Sequence, residues 1–100
     1  MKQKNISAIQ DIFINFPEID EVILYGSRAK GNYVNGSDID LSLIGNNLTL
    51  HTLLKIEHQI DELYLPYQID FSLFHRIENP ALIEHIKRCG KVFFEKVKTD

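Results

Sequence analysis

Two aspartates that lie two residues apart open an alternating segment that could bind a metal ion. Asp38 and Asp40 begin the run Asp-Ile-Asp-Leu-Ser-Leu, in which polar and apolar residues alternate. In a β-strand both carboxylates point to the same face, with their backbones roughly 7 Å apart. Without a cation between them they repel by about 2–3 kcal/mol at an effective dielectric constant of about 20. Oxygen ligands placed in this way suit Mg²⁺.

A turn of small residues precedes this segment. The apolar run Val22–Tyr25 ends at Gly26 and Ser27, and ten residues separate Ser27 from Asp38. Because Gly26 has no side chain, a phosphate group can approach its backbone. A helical turn starting at Ser27 would also aim free N–H groups at that phosphate. This turn and the aspartates together favour a site for Mg²⁺ and a nucleotide.

A third carboxylate lies in a second segment with the same alternation. The run Ile-Asp-Phe-Ser-Leu at 69–73 repeats the pattern of Ile-Asp-Leu-Ser-Leu at 39–43. If the two strands are neighbours, Asp40 and Asp70 lie side by side on one face, within about 5 Å of each other. Two carboxylates at that distance can share a metal ion.

Each of these residues also has a structural interpretation. Gly26 and Ser27 could form an ordinary turn and a helix cap. Either Arg28 or Lys30 could pair with a leaving pyrophosphate, or both could be solvated surface charges. Asp38 also fits a turn, since it follows glycine and serine in the sequence.

Asp70 has an alternative as well, as a solvent-facing residue of an edge strand. Ser42 and Ser72, which follow Asp40 and Asp70 on the same predicted face, are interpreted as small spacers rather than ligands.

The order of these residues resembles the signature of the DNA-polymerase-beta-type nucleotidyltransferases. The signature consists of Gly26-Ser27, ten residues, Asp38-x-Asp40, and a later strand aspartate, supplied by Asp70. More narrowly, the chain resembles the minimal nucleotidyltransferases, or MNT proteins, which act as antitoxins to HEPN-domain ribonuclease toxins. The resemblance covers almost the whole chain.

This resemblance implies an activity, its cofactors and a partner. The implied activity is Mg²⁺-dependent transfer of AMP from ATP to a hydroxyl, namely a tyrosine hydroxyl of a HEPN toxin, which is thereby silenced. Asp38 and Asp40 would hold two Mg²⁺ ions. Asp70 would complete the site of the acceptor-side ion and assist deprotonation of the acceptor. Gly26 and Ser27 would bind the β- and γ-phosphates.

Two other functions remain open at this point. The chain could neutralise a toxin by covering it, without catalysis, or it could modify a small molecule that a partner presents. The sequence does not determine which base the nucleotide carries, which molecule is the acceptor, or how many AMP units are transferred. An acceptor surface is expected from another chain, since a single domain spanning residues 1–100 leaves no room for a second one.

Composition bounds the class of protein. Apolar residues make up 44% of the chain and charged residues 25%, which is ordinary for a soluble globular domain. The net charge of −3 indicates no general attraction to nucleic acid or to an anionic membrane. Cys89 is the single cysteine, so an intrachain disulfide is excluded and a reducing cytosol fits. We therefore expect a cytoplasmic protein that contacts neither membrane nor nucleic acid directly.

The predicted elements that position the site alternate between helix and strand. Helices are predicted at 5–16, 49–63 and 80–89, and strands at 22–25, 38–44, 67–74 and 92–95. Pro80 suits the first position of the third helix and Gly90 its C-terminal end. The second helix carries its apolar residues at Leu50, Leu53, Leu54, Ile56 and Ile60. This order predicts an α+β (α/β-like) domain with helices packed on a mixed sheet, and the resemblance implies the polymerase beta-like core.

Overall fold

The computed structural model describes residues 3–25 and 39–96. Within these ranges helices and strands follow one another in the order α-β-β-α-β-α-β, with a 3₁₀ turn after the third strand. The helices are α1 (Gln3–Ile14), α2 (Leu50–Asp61) and α3 (Pro80–Cys89), the strands are β1 (Glu21–Tyr25), β2 (Ile39–Ile44), β3 (Ile69–Leu73) and β4 (Lys91–Glu95), and the 3₁₀ turn is Phe74–Arg76. The predicted α+β class is confirmed.

The described strands form one mixed sheet in the order β3-β2-β1-β4. β1 runs antiparallel to both β2 and β4, whereas β2 and β3 are parallel. A parallel pair needs a long crossover between its strands, and α2 supplies it. The strand that carries Asp70 therefore lies directly beside the strand that carries Asp40.

The hydrophobic core lies on one face of this sheet, under α1 and α2. Phe13 of α1 is completely buried and makes ring contacts with Phe71, Phe93 and Phe94, with centroids 6.4, 6.2 and 5.6 Å away. Phe93 and Phe94 both reach this ring because the pairing of β1 with β4 shifts register next to Val22. Buried residues around them include Ile9, Ile12, Ile19, Ile39, Leu41, Leu43, Ile56 and Ile60.

Helix α3 packs against β1. Residues at both of its ends determine where it begins and ends. Asn79 caps its start by accepting a hydrogen bond from the Ala81 N–H at 2.9 Å, and Pro80 takes the first helical position. At its other end, Gly90 lies so close to the Ile86 carbonyl oxygen and the Ile23 side chain that a Cβ would collide with both. The predicted ends of this helix are confirmed.

Not all of the apolar residues of α2 are buried. Leu53, Ile56 and Ile60 lie in the core, whereas Leu50 and Leu54 are 52% and 64% exposed. At about 100° per residue, Leu54 lies on the side of the helix opposite the centre of the buried stripe. The 3₁₀ turn at 74–76 was not predicted from the sequence. None of the helices in the described ranges combines the length and apolarity needed to cross a lipid bilayer.

Candidate active site

The parallel pairing of β2 and β3 brings two of the three predicted carboxylates together. Asp40 and Asp70 are direct partners in the register, which runs from Ile39–Ile69 to Leu43–Leu73. Neighbouring strands lie about 4.8 Å apart, so the two side chains start from adjacent points on the same face. The two strands are thus neighbours, which is the condition on which the pairing of these aspartates depended.

Alternation along β2 explains why the carboxylates avoid the core. Ile39, Leu41 and Leu43 are completely buried on the core face. Asp40 and Ser42 therefore point to the opposite face, where Asp40 is half-buried. Asp70 on the edge strand β3 is exposed. This gradient of exposure gives a polar ligand access to the carboxylate pair from the β3 side.

A chain of hydroxyl groups lies on the same face, one step along the strands. Ser42 and Ser72 are register partners, and the Ser72 hydroxyl donates to the Ser42 Oγ at 3.1 Å. The Tyr25 hydroxyl lies 3.4 Å from the Ser72 Oγ. The Tyr25 ring also makes an edge contact with His85 of α3, with centroids 6.5 Å apart. These contacts join β1, β2, β3 and α3 beside the two aspartates.

The other predicted site residues fall outside the described part of the chain. These are Gly26, Ser27, Arg28, Lys30 and Asp38. β1 ends at Tyr25, directly before Gly26, and β2 begins at Ile39, directly after Asp38. Tyr25 is the register partner of Asp40. β1 therefore ends, and β2 begins, beside the carboxylate pair, and the roles of residues 26–38 stay predictions.

The donor set fits a hard divalent cation. Two carboxylates offer the oxygen ligands that Mg²⁺ prefers, and an exposed edge leaves room for the waters and phosphates that usually complete its octahedron. Within residues 3–25 and 39–96, no cluster of three or more His, Cys, Asp or Glu side chains is placed to hold a metal. Asp38, the third predicted carboxylate, lies outside these ranges.

A cavity of about 490 Å³ beside β3 is separate from this pair. Ile69 and Phe71 line it from β3, and Glu57 and Asp61 line it from α2. Ile69 and Phe71 alternate with Asp70 and point to the other face of the sheet. The cavity is therefore not the space in front of the carboxylates.

The hydrogen bonds among these hydroxyl groups were not predicted from the sequence. Ser42 and Ser72 were interpreted as small spacers rather than ligands, and Tyr25 was not singled out, whereas the structure joins the three by hydrogen bonds. The repeated Ile-Asp-x-Ser-Leu pattern was a usable signal for the serine pair, because equal register pairs the serines whenever it pairs the aspartates. No comparable pattern pointed to Tyr25.

The sequence matches a family model, and the fold matches several solved structures. The model described as polymerase beta, nucleotidyltransferase matches residues 7–99. No curated protein has a matching sequence. A toxin–antitoxin structure with AMP-PNP has a TM-score of 0.72 at 16% identity, and the match covers 96% of this chain and 75% of that chain.

Two further structures are similar in the same way. A complex of a tri-AMPylated Shewanella oneidensis HEPN toxin with an MNT antitoxin gives a TM-score of 0.69 at 17% identity, over 96% of this chain and 74% of that chain. The toxin–antitoxin pair MntA–HepT gives 0.68 at 16% identity, over 95% of this chain and 74% of that chain. At these identities the likeness shows a shared fold.

Proposed function

Because the chain belongs to the polymerase beta nucleotidyltransferase family, we propose that it transfers AMP from ATP to a hydroxyl group of a HEPN-type toxin and thereby acts as an antitoxin. The observation that carries this proposal is the register pairing of Asp40 with Asp70 on adjacent parallel strands. Two neighbouring carboxylates repel each other and lower the stability of the fold, and a bound cation would offset that repulsion.

The carboxylates would hold the metal, and in this proposal Asp38 and Asp40 ligate two Mg²⁺ ions while Asp70 completes the site on the acceptor side. When bound, Mg²⁺ would supply positive charge at the α-phosphate and at the attacking and leaving oxygens. The exposure of Asp70 supports its assignment to the acceptor side, since an acceptor from another molecule must approach from solvent.

The reaction follows from the other proposed roles. The acceptor oxygen attacks the α-phosphorus of ATP, the bond between the α-phosphorus and the bridging oxygen breaks, and pyrophosphate leaves. Asp70 accepts the proton of the acceptor hydroxyl. Gly26 and Ser27 bind the β- and γ-phosphates, and Arg28 or Lys30 neutralises the charge of the departing pyrophosphate. The products are an AMP ester, pyrophosphate and a proton.

The choice of partner rests on the fold neighbours. In one of them an MNT antitoxin is bound to a tri-AMPylated HEPN toxin, and another contains the ATP analogue AMP-PNP. We take the acceptor to be a tyrosine of the toxin and the site of action to be the cytoplasm. An AMP group near the ribonuclease site would repel RNA, because the modification and the substrate phosphates are both negative.

The test is the intact mass of a HEPN-type toxin after incubation with this protein, ATP and Mg²⁺. We expect the toxin to gain whole AMP units and to remain inactive after this protein is removed. Asp70→Asn should abolish the added mass. Asp11→Asn is the matched control, because it removes the same charge at an exposed position of α1.

Two results would contradict the proposal. If the toxin gains no mass, yet is blocked by a stoichiometric amount of this protein, the chain neutralises its partner by covering it. Protection that survives the combined replacement of Asp38, Asp40 and Asp70 by asparagine would lead to the same conclusion.

A further inference from the structure

The hydroxyl groups of Tyr25, Ser42 and Ser72 connect three strands, and the two serines lie two residues beyond the paired aspartates. We propose that Tyr25 is a positioning residue, which fixes Asp70 against Asp40 through its hydrogen bond to Ser72 and the bond from Ser72 to Ser42. This inference rests on the proposed function, because it assigns Tyr25 a role in the affinity of the carboxylates for metal.

The geometry requires Tyr25 to cross a strand. Tyr25 belongs to β1 and Ser72 to β3, and β2 lies between them. Neighbouring strands are about 4.8 Å apart, so the phenol must extend over the face of β2 to reach Ser72. Its starting point is opposite Asp40 in the register. One side chain therefore links β1 to β3, the strand that carries Asp70.

The direction of the hydrogen bonds follows from the donors available. The Ser72 hydroxyl has one proton, which it donates to the Ser42 Oγ at 3.1 Å. The 3.4 Å bond between Tyr25 and Ser72 must then have Tyr25 as its donor. Replacing Tyr25 by phenylalanine removes this donor, so Ser72 loses its link to β1 and only its bond to Ser42 still orients its hydroxyl.

Burial makes the alignment specific to one register. The Ser42 side chain is completely buried, and a buried hydroxyl without a partner destabilises the fold. Sliding β3 along β2 would separate Ser72 from Ser42 and would also separate Asp70 from Asp40, since each serine follows its aspartate by two residues. The serine pair therefore penalises the same displacement that would open the metal site.

One further contact and the position of Tyr25 in the sequence suit it to this role. Its ring makes an edge contact with His85 of α3, so its position is supported from outside the sheet. Tyr25 also directly precedes Gly26 in the sequence. The residue that leads into the proposed phosphate-binding turn is thus the residue that holds the strand of Asp70, which connects the nucleotide side of the site with the acceptor side.

The experiment measures the binding of Mn²⁺, a paramagnetic substitute for Mg²⁺, in the presence of AMP-PNP, with free Mn²⁺ followed by electron paramagnetic resonance. We expect Tyr25→Phe and Ser72→Ala to weaken the affinity for Mn²⁺ by about tenfold, the loss typical of residues that orient metal ligands. Ser72→Thr keeps the hydroxyl and should restore most of the affinity. Tyr64→Phe is the matched control, because it removes a hydroxyl from a residue that is 88% exposed.

Thermal unfolding of the same variants separates positioning from support of the fold. If Tyr25→Phe lowers the melting temperature but binds Mn²⁺ like the wild type, Tyr25 is structural only and the inference is overturned. If the wild type itself binds no Mn²⁺, the proposed function fails and the inference fails with it. These two failures are distinguishable, since only the second appears in the wild-type protein.

Discussion

Replacing Asp70 by asparagine should have opposite effects on stability without and with the nucleotide. Asp70 and Asp40 are register partners on adjacent parallel strands. At a separation of about 5 Å, two negative charges repel by about 3 kcal/mol at an effective dielectric constant of about 20, and by about 0.8 kcal/mol in water. Because Asp70 is exposed and Asp40 half-buried, the lower part of this range applies.

In EDTA, Asp70→Asn should therefore stabilise the protein by about 1 kcal/mol, since it removes one of the two like charges. For a domain of this size, that gain corresponds to a rise of about 5 °C in the melting temperature. The isosteric amide preserves the packing and the alternation of β3. Differential scanning calorimetry or fluorimetry measures the shift directly.

With Mg²⁺ and ATP the wild type should become more stable than Asp70→Asn. A ligand at one hundred times its dissociation constant stabilises the folded state by about 2.7 kcal/mol, and the wild type should show a gain of this order. Asp70→Asn should gain less, because it lacks a ligand of the acceptor-side ion, but it should keep part of the gain through the remaining aspartates. The wild type should lose its gain when EDTA is added.

Asp11→Asn provides the control for net charge, and it should change neither the melting temperature in EDTA nor the gain with Mg²⁺ and ATP appreciably. A lower melting temperature of Asp70→Asn in EDTA would refute the electrostatic argument and show that the carboxylate supports the strand. An equal stabilisation by ATP in EDTA would refute the role of the metal.

Three further substitutions test the hydrophobic core, the end of α3 and the backbone conformation at Tyr64. Phe13→Ala should lower the free energy of unfolding by about 3–5 kcal/mol, because the ring contacts three other phenylalanines; a urea midpoint close to that of the wild type would contradict this. Gly90→Ala should cost about 1–3 kcal/mol in chemical denaturation, since a Cβ collides with Ile86 and Ile23; a neutral result would mean that the helix end shifts freely. Tyr64→Gly should raise the melting temperature by relieving about 1 kcal/mol of backbone strain, because Tyr64 has a φ of 50°; a lower melting temperature would show that contacts of the ring outweigh the strain.

Local patterns in the sequence were sufficient to locate most of the elements. Alternation at 39–43 and 69–73 marks strands because a polar residue at every second position leaves the apolar ones to form a core face. Asn79 and Pro80 indicate the start of α3. The Asn79 side chain caps a free N–H group of the first turn, and Pro80 lacks an N–H at a position where none is needed for a helical hydrogen bond. Such signals depend only on residues within a turn or two of each other.

The apolar face of α2 could not be predicted in the same way. Leu50 and Leu54 are apolar, yet they are exposed, whereas Thr52 is buried. Thr52 is accommodated because its hydroxyl bonds to Glu18 at 3.4 Å and lies 3.2 Å from that of Thr49. Which stripe of an apolar helix turns inward depends on what the neighbouring elements offer, and that information lies elsewhere in the chain.

The candidate site also has one part that the sequence determined and one part that only the tertiary structure decided. The sequence by itself determined which residues carry carboxylates and which face of its strand each one takes, because alternation is a property of a single strand. Only the tertiary structure decided that β3 lies parallel to β2 in equal register, which pairs Asp40 with Asp70. The link from Tyr25 to Ser72 spans 47 residues of sequence and a whole intervening strand. It exists because the strand order places β1 and β3 on either side of β2, and strand order is set by how all the elements pack together, not by the pattern within any one of them.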